Sequence, residues 1–88
     1  MEKTVITLIG KDTVGIIAKV CTYFANNGIN ILDIAQTTVK DFINMMMVID
    51  TSTSKKSVDE ISKELDELSK DIGCVIHAYG EDNFRMKE

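Results

Sequence analysis

The sequence has only two cysteines among its 88 residues and no proline or tryptophan. Two cysteines cannot form the dense disulfide framework that stabilises small secreted scaffolds. No apolar run approaches the ~18 residues that a membrane-spanning helix needs. The N-terminal residues run into a strand-like segment without a long apolar signal region. These absences predict a cytoplasmic protein that does not bind a membrane.

The chain also lacks an excess of positive charge, since its 10 basic residues are outnumbered by 14 acidic ones and the net charge is −4. A nucleic-acid binder of this size normally has a basic surface, so we expect no nucleic-acid partner. A composition of 44% hydrophobic and 27% charged residues is that of an ordinary globular protein. We predict one domain at residues 1–80, followed by a polar tail at 81–88.

The pattern of apolar residues predicts six elements in the order β-α-β-β-α-β. Runs rich in β-branched and apolar residues predict strands at 3–9, 29–39, 42–49 and 74–79. Helical spacing of apolar residues, including Ile17, Val20, Cys21 and Phe24, predicts helices at 14–27 and 58–72. This order is typical of the ferredoxin-like fold, an α+β fold with a four-stranded antiparallel sheet and both helices on one face. Right-handed crossovers then predict the strand order 4-1-3-2 or one of its family variants.

Local signals define the ends of several elements. Ser57 and Glu60 fit a capping box at the start of the second helix, and Gly73 ends that helix. The dipeptide Lys40-Asp41 predicts a hairpin turn, although it is not a strong turn sequence and the turn is expected to be two residues or longer. The second helix is rich in acidic residues, which we interpret as a solvated outer face.

Residue types that form catalytic or metal sites are scarce. Cys21 and Cys74 are too far apart in sequence for a Cys-x-x-Cys metal site, and we predict both as small buried hydrophobic residues. His77 is the only histidine, and its position opposite the core favours a surface or interface residue over a ligand. We predict no catalytic residue, no metal site and no cofactor, and therefore no enzyme.

The connection between the first strand and the first helix, residues 10–17, is the best candidate for a binding site. Gly15 falls in the first turn of the predicted helix, where glycine costs about 1 kcal/mol relative to alanine, and this indicates a close approach to the backbone. The free amides and the positive end of the helix dipole suit an anion. Asp12 and Thr13 add polar side chains, and either one can cap the helix. Tight packing of helix on strand, with such a cap, explains the same residues equally well.

These motifs together resemble the ACT domain family. Asp12, Gly15 and the aliphatic pair at 16–17 are similar to the opening signature of the family. The Asn-Asn-Gly-Ile-Asn-Ile segment at 26–31 is similar to the start of its second strand. The hairpin and the tail resemble stand-alone ACT proteins, which are akin to one half of the glycine cleavage repressors. The resemblance spans residues 3–86.

The resemblance implies a homodimer that binds a small metabolite, often an amino acid, at the subunit interface. It implies ligand contacts from a set of residues at the two motifs, namely Asp12, Thr13, Val14, Gly15, Ile16 and Asn30. Asp12 stands where amino-acid-binding members often have an amide, and Val14 replaces a common proline. A carboxylate accepts hydrogen bonds from an α-ammonium group but repels an α-carboxylate.

We therefore expect a non-enzymatic regulatory module that dimerises and binds an amino acid. The alternative is an adaptor that binds an enzyme or a transcription regulator without a ligand of its own. Such a partner would dock on the uncovered sheet face, which carries Val75, His77 and Tyr79, or on the acidic second helix.

Overall fold

A computed structural model describes residues 3–11 and 15–80 of the chain. The elements, in chain order, are β1 (Lys3–Lys11), α1 (Ile16–Asn26), β2 (Asn30–Val39), β3 (Phe42–Asp50), α2 (Val58–Ile72) and β4 (Cys74–Gly80). All six predicted elements are present in the predicted order, and every boundary lies within two residues of its predicted position. The tail predicted at 81–88 lies outside the described residues.

The four strands form one antiparallel sheet in the order β2-β3-β1-β4. This arrangement confirms the predicted ferredoxin-like fold and the strand order 4-1-3-2. The hairpin that joins β2 to β3 turns within two residues, because Val39 pairs directly with Phe42. Lys40 in this turn adopts a left-handed conformation with φ of 54°.

The strand register defines two ends of the sheet. At the end that we call the lower end, Asp50 of β3 pairs with Lys3 of β1 on one side and with Asn30 of β2 on the other. At the upper end, Phe42 of β3 pairs in the same way with Lys11 and Val39. Because a strand rises about 3.3 Å per residue, the two ends of β1 are roughly 26 Å apart.

One face of the sheet packs against both helices and forms the core. β1 contributes Ile6 and Leu8, and the facing helices contribute Phe24 and Leu65, all of them at most 1% exposed. Burying each such side chain stabilises the fold by about 1.5–3 kcal/mol. In the described residues, no helix is long and apolar enough to cross a membrane.

The buried stripe of α1 differs by one position from the predicted one. Ile16, Val20 and Phe24 are buried, whereas Ile17 and Cys21 are only partly buried at the margin of the core. The centre of the stripe therefore follows an i, i+4, i+8 spacing that begins at Ile16. The other cysteine, at the start of β4, is also half-buried, so both thiols pack against the core without being enclosed in it.

The capping box of α2 is present as predicted. The Ser57 hydroxyl accepts a hydrogen bond from the Glu60 amide at 3.2 Å, and the Glu60 carboxylate accepts one from the Ser57 amide at 3.2 Å. Gly73 ends the helix with φ of 72°, a conformation that glycine adopts without a steric penalty.

The start of α1 differs from its prediction. Gly15 is the N-cap and not a residue of the first turn, and the helix begins at Ile16. The physical reason is the φ of 88° at Gly15, which places this residue outside helical geometry. The N-cap position is held by Gly15, which has no side chain, and Asp12 and Thr13, which we expected to cap the helix, lie outside the described residues.

The second face of the sheet, which we call the open face, is not covered by either of the two helices that the structure describes. Its exposed apolar side chains include Ile9, Phe42, Met46 and Val75, which are 46–55% exposed. His77 and Tyr79 lie on the same face, with their ring centroids 6.0 Å apart. The predicted orientation of β4, with Ile76 toward the core and Val75 away from it, is confirmed.

Candidate functional site

Gly15 occupies its position because of its backbone conformation. Its φ of 88° is one that side-chain-bearing residues rarely adopt, and a Cβ built there would have no neighbour within 4 Å. Among the residues that the structure describes, the close approach expected at Gly15 is therefore not seen. It occurs instead at Gly10, where a Cβ would lie 2.5 Å from the Cβ of Cys74.

The first turn of α1 presents backbone donors at the upper end of the sheet. The first intrahelical hydrogen bond runs from the Lys19 amide to the Gly15 carbonyl at 3.0 Å. The amides of the preceding helical residues therefore have no acceptor within the helix, and they coincide with the positive end of the helix dipole. The side chain of Ile16 is 3% exposed, so only the backbone of this residue is available to a ligand.

Asn30 lies at the lower end, as the first residue of β2. Its side chain is exposed, and in the sheet it is opposite Asp50 at the end of β3. This position is separated from the β1–α1 connection by the full length of the sheet. The structure therefore does not bring Asn30 and Gly15 together within one chain. Asp12, Thr13 and Val14, the remaining predicted site residues, lie outside the described residues.

A cavity at the lower end was not predicted from the sequence. It has a volume of about 390 Å³ and lies between the end of α1 (26–28) and the loop after β3 (53–56). The sequence signal was the pair Lys55-Lys56, which follows an acid-free run in an otherwise acidic chain. A second depression of about 350 Å³ lies between the helices, next to Tyr23 and Leu68.

One polar cluster joins α1, α2 and the loop between β3 and α2. The Glu64 carboxylate accepts hydrogen bonds from the Lys56 ammonium and from the Tyr23 hydroxyl, each at 2.7 Å. The hydrogen bond from Lys56, followed by that from Tyr23, lowers the pKa of Glu64. Burial, together with the bond to this carboxylate, raises the pKa of Tyr23. We call these three residues the Glu64 cluster.

Within residues 3–11 and 15–80, no group of three His, Cys, Asp or Glu side chains is placed to hold a metal ion. Burial raises the pKa of the Cys74 thiol, which disfavours the nucleophilic thiolate form.

The family model of the ACT domain matches residues 4–68. The chain belongs to the ACT domain family. It is 43% identical over 84 residues to a UPF0237 protein of Bifidobacterium longum, and the match covers 96% of this chain and 93% of that protein.

Solved structures agree with this assignment. An ACT domain protein from Streptococcus pneumoniae has a TM-score of 0.82 and 30% identity, and the match covers 99% of this chain and 98% of that one. A putative glycine cleavage system transcriptional repressor has a TM-score of 0.79, and the match covers 99% of this chain and 50% of that one. Its 18% identity shows a shared fold only. The fold and the family assignment therefore agree over the matched residues.

Proposed function

We propose that this ACT domain acts as a cytoplasmic homodimer and binds an amino acid at sites shared between its two subunits. The observation that carries the proposal is the separation of Gly15 and Asn30 at opposite ends of the sheet. A site that uses both motifs is incomplete in one chain and needs a second copy.

β2 is the edge at which a second copy would join. All of its residues except Ile31 are exposed, and its outer backbone groups have no strand partner among the described residues. Its exposed apolar side chains are Leu32, Ile34 and Val39, at 36–64% exposure. Burying these groups against a second copy would favour association.

Two-fold pairing of β2 edges makes the two β2 strands antiparallel. The lower end of one subunit then lies beside the upper end of the other. Asn30 of the partner subunit is brought toward the β1–α1 connection, where Gly15 begins the helix. This arrangement predicts two equivalent sites per dimer, each with a contribution from both subunits.

The chemistry of these groups suits a zwitterionic amino acid. The free amides of the first turn of α1 would bind the α-carboxylate. The Asp12 carboxylate, with Thr13 beside it, would accept hydrogen bonds from the α-ammonium group. The Asn30 amide both donates and accepts, so it can bridge the two groups.

The regulatory effect follows from linkage. An amino acid that contacts both subunits stabilises the dimer over separated subunits, in proportion to its differential affinity for the two states. A partner protein that recognises only the dimer would then report the amino acid concentration. Such a module performs no catalysis.

Isothermal titration calorimetry against the common amino acids tests the proposal. We expect saturable binding of one ligand per subunit, and a loss of at least about tenfold in affinity in Asn30→Ala, because an interfacial polar contact is removed. Asn44→Ala, at an exposed open-face position, is the matched control and should bind normally. The absence of binding at millimolar concentrations would refute amino acid sensing.

The adaptor alternative is supported by the open face, whose apolar side chains are about half exposed. It predicts that a partner protein binds the double variant Asp12→Ala/Asn30→Ala as well as the wild type. The variant Val75→Lys should abolish that interaction, because it places a charge in the apolar surface.

A further inference from the structure

The cavity at the lower end is lined by polar residues from two segments. The end of α1 contributes residues 26–28, Asn-Asn-Gly, and the loop after β3 contributes 53–56, Thr-Ser-Lys-Lys. The Thr53 hydroxyl donates to the Gly28 carbonyl at 2.6 Å, which ties the two walls together. None of the lining residues is acidic. At about 390 Å³ the cavity is in the size range of small-molecule sites.

Existing hydrogen bonds use little of the donor capacity of this cavity. One amide hydrogen of Asn27 is donated to the Tyr23 carbonyl at 2.8 Å, and the Ser54 hydroxyl oxygen accepts from the Lys56 amide at 3.2 Å. The second side-chain amide hydrogen of Asn27, the Ser54 hydroxyl hydrogen and both ammonium groups can still donate. These free donors, together with the positive charge of Lys55, are complementary to an oxyanion.

The two lysines have different roles. Lys56 is held by Glu64 at 2.7 Å, so its charge is largely compensated and its position is fixed. Lys55 is exposed, and no carboxylate among the described residues forms an ion pair with it. Lys55 therefore supplies the uncompensated positive charge at the rim of the cavity.

We infer that this cavity binds the phosphate or carboxylate group of a small anionic metabolite, with Lys55 as the principal charged contact. Lysine is an effective partner for both groups, and its hydrogen bonds to them are charge-assisted. The cavity uses neither Gly15 nor Asn30, so the inference is independent of the proposed amino acid site.

A structural role for Lys55 makes a different prediction. The cavity lies at the C-terminal end of α1, where a positive charge also stabilises the helix dipole. If this were the only role, replacing Lys55 would lower the melting temperature without changing any anion affinity. The two explanations are therefore separated by measuring binding and stability on the same variants.

The test is a titration of the 88-residue chain followed by ¹H–¹⁵N NMR, with inorganic phosphate in one arm and succinate in the other at constant ionic strength. We expect saturable shifts confined to the amides of 26–28 and 53–56 in at least one arm. The arm that saturates at the lower concentration identifies the preferred anion.

Variants complete the test. Lys55→Gln should weaken binding by about fivefold or more, because one charge-assisted contact is lost. Asn26→Asp should weaken anion binding more than Lys55→Gln does, because it places a carboxylate in the cavity. Lys40→Gln, which removes the same charge at the opposite end of the sheet, should leave the affinity unchanged.

Shifts that do not saturate, or that spread over lysines across the surface, would show an adventitious ion only and would overturn the inference. Unchanged affinity in Lys55→Gln would overturn it as well. Native-like spectra of each variant without anion establish that it is folded.

Discussion

Two glycines that flank one loop, Gly10 and Gly15, are required for different physical reasons. Gly10 lies directly opposite Cys74 in the β1–β4 pair, where there is no room for a side chain. Gly15 has room for one, but its φ of 88° disfavours any side chain. From the sequence alone we expected a close approach to the Gly15 backbone, with tight helix-on-strand packing as the alternative, because a lone glycine does not reveal which constraint it satisfies.

Gly10→Ala should lower the free energy of unfolding by about 1–3 kcal/mol, the usual cost of overpacking a core. Urea denaturation measures it, with Gly80→Ala as the control because a Cβ at Gly80 has no neighbour within 4 Å. Cys74→Gly in the Gly10→Ala background should recover part of the loss. Equal stability of the two alanine variants would contradict the steric explanation.

The Glu64 cluster predicts a pH-dependent contribution of Tyr23 to stability. Because the folded protein has a raised Tyr23 pKa, this contribution is present below the ordinary tyrosine pKa of about 10 and is lost as the pH rises above it. Tyr23→Phe should lose about 1 kcal/mol at neutral pH, the typical net contribution of a hydrogen bond.

The measurement is urea denaturation at pH values from 7 to above 10. We expect the wild type and Tyr23→Phe to converge as the pH rises through this window. Glu64 has a lowered pKa, so its contribution is lost instead as the pH falls through its folded value. A constant difference between the two proteins at every pH would exclude the hydroxyl as the cause.

At the scale of elements, the β2–β3 turn retains a conformational strain that a substitution can remove. Lys40 has φ of 54°, a conformation that is unfavourable for residues with a side chain. Lys40→Gly removes this penalty but adds the entropic cost of a glycine in the unfolded chain. The net effect should be a rise of roughly 0.5 kcal/mol in the free energy of unfolding. Asp41→Gly is the matched control and should be destabilising, since φ at Asp41 is not positive. A change of the same sign in the free energy of unfolding of both variants would contradict this explanation.

The ends of an element could be predicted from the sequence where the residues that determine them lie within a few positions of those ends. α2 was predicted from end to end, because Ser57, Glu60 and Gly73 determine its termini within a few residues. The start of α1 was predicted incorrectly, because the φ of Gly15 depends on how the connection from β1 reaches the helix. Sequence periodicity therefore gave the body of α1, but not its first residue.

The candidate site could be predicted only in part, for a reason of topology. The motifs at Gly15 and Asn30 are visible in the sequence, but their separation at opposite ends of the sheet follows from strand pairing. The lower-end cavity was missed because its walls, at 26–28 and 53–56, become neighbours only in the folded chain.

At the scale of the whole molecule, the net charge of −4 is concentrated on one helix. α2 carries six acidic residues and two lysines, so this one helix accounts for the acidic excess. One of these acids, Glu60, belongs to the capping box. The Nζ of Lys70 lies 3.5 Å from the Oδ2 of Asp66. The acidity thus belongs to a solvated helix face, and it leaves the β2 edge free to associate.

The central claim is that a second copy, joined at the β2 edge, completes the site. A positive charge on an edge strand opposes strand pairing, so Ile34→Lys should dissociate the dimer. Val75→Lys places the same charge on β4, the other edge strand, at a side chain that is 53% exposed, and it should leave the dimer intact.

Sedimentation equilibrium of the wild type and these two variants tests the claim most directly. We expect twice the chain mass of 9.8 kDa for the wild type and Val75→Lys, and the single-chain mass for Ile34→Lys. A wild type that sediments at 9.8 kDa at all micromolar concentrations would contradict it. A dimer that survives Ile34→Lys but is lost in Val75→Lys would place the interface on the open face instead.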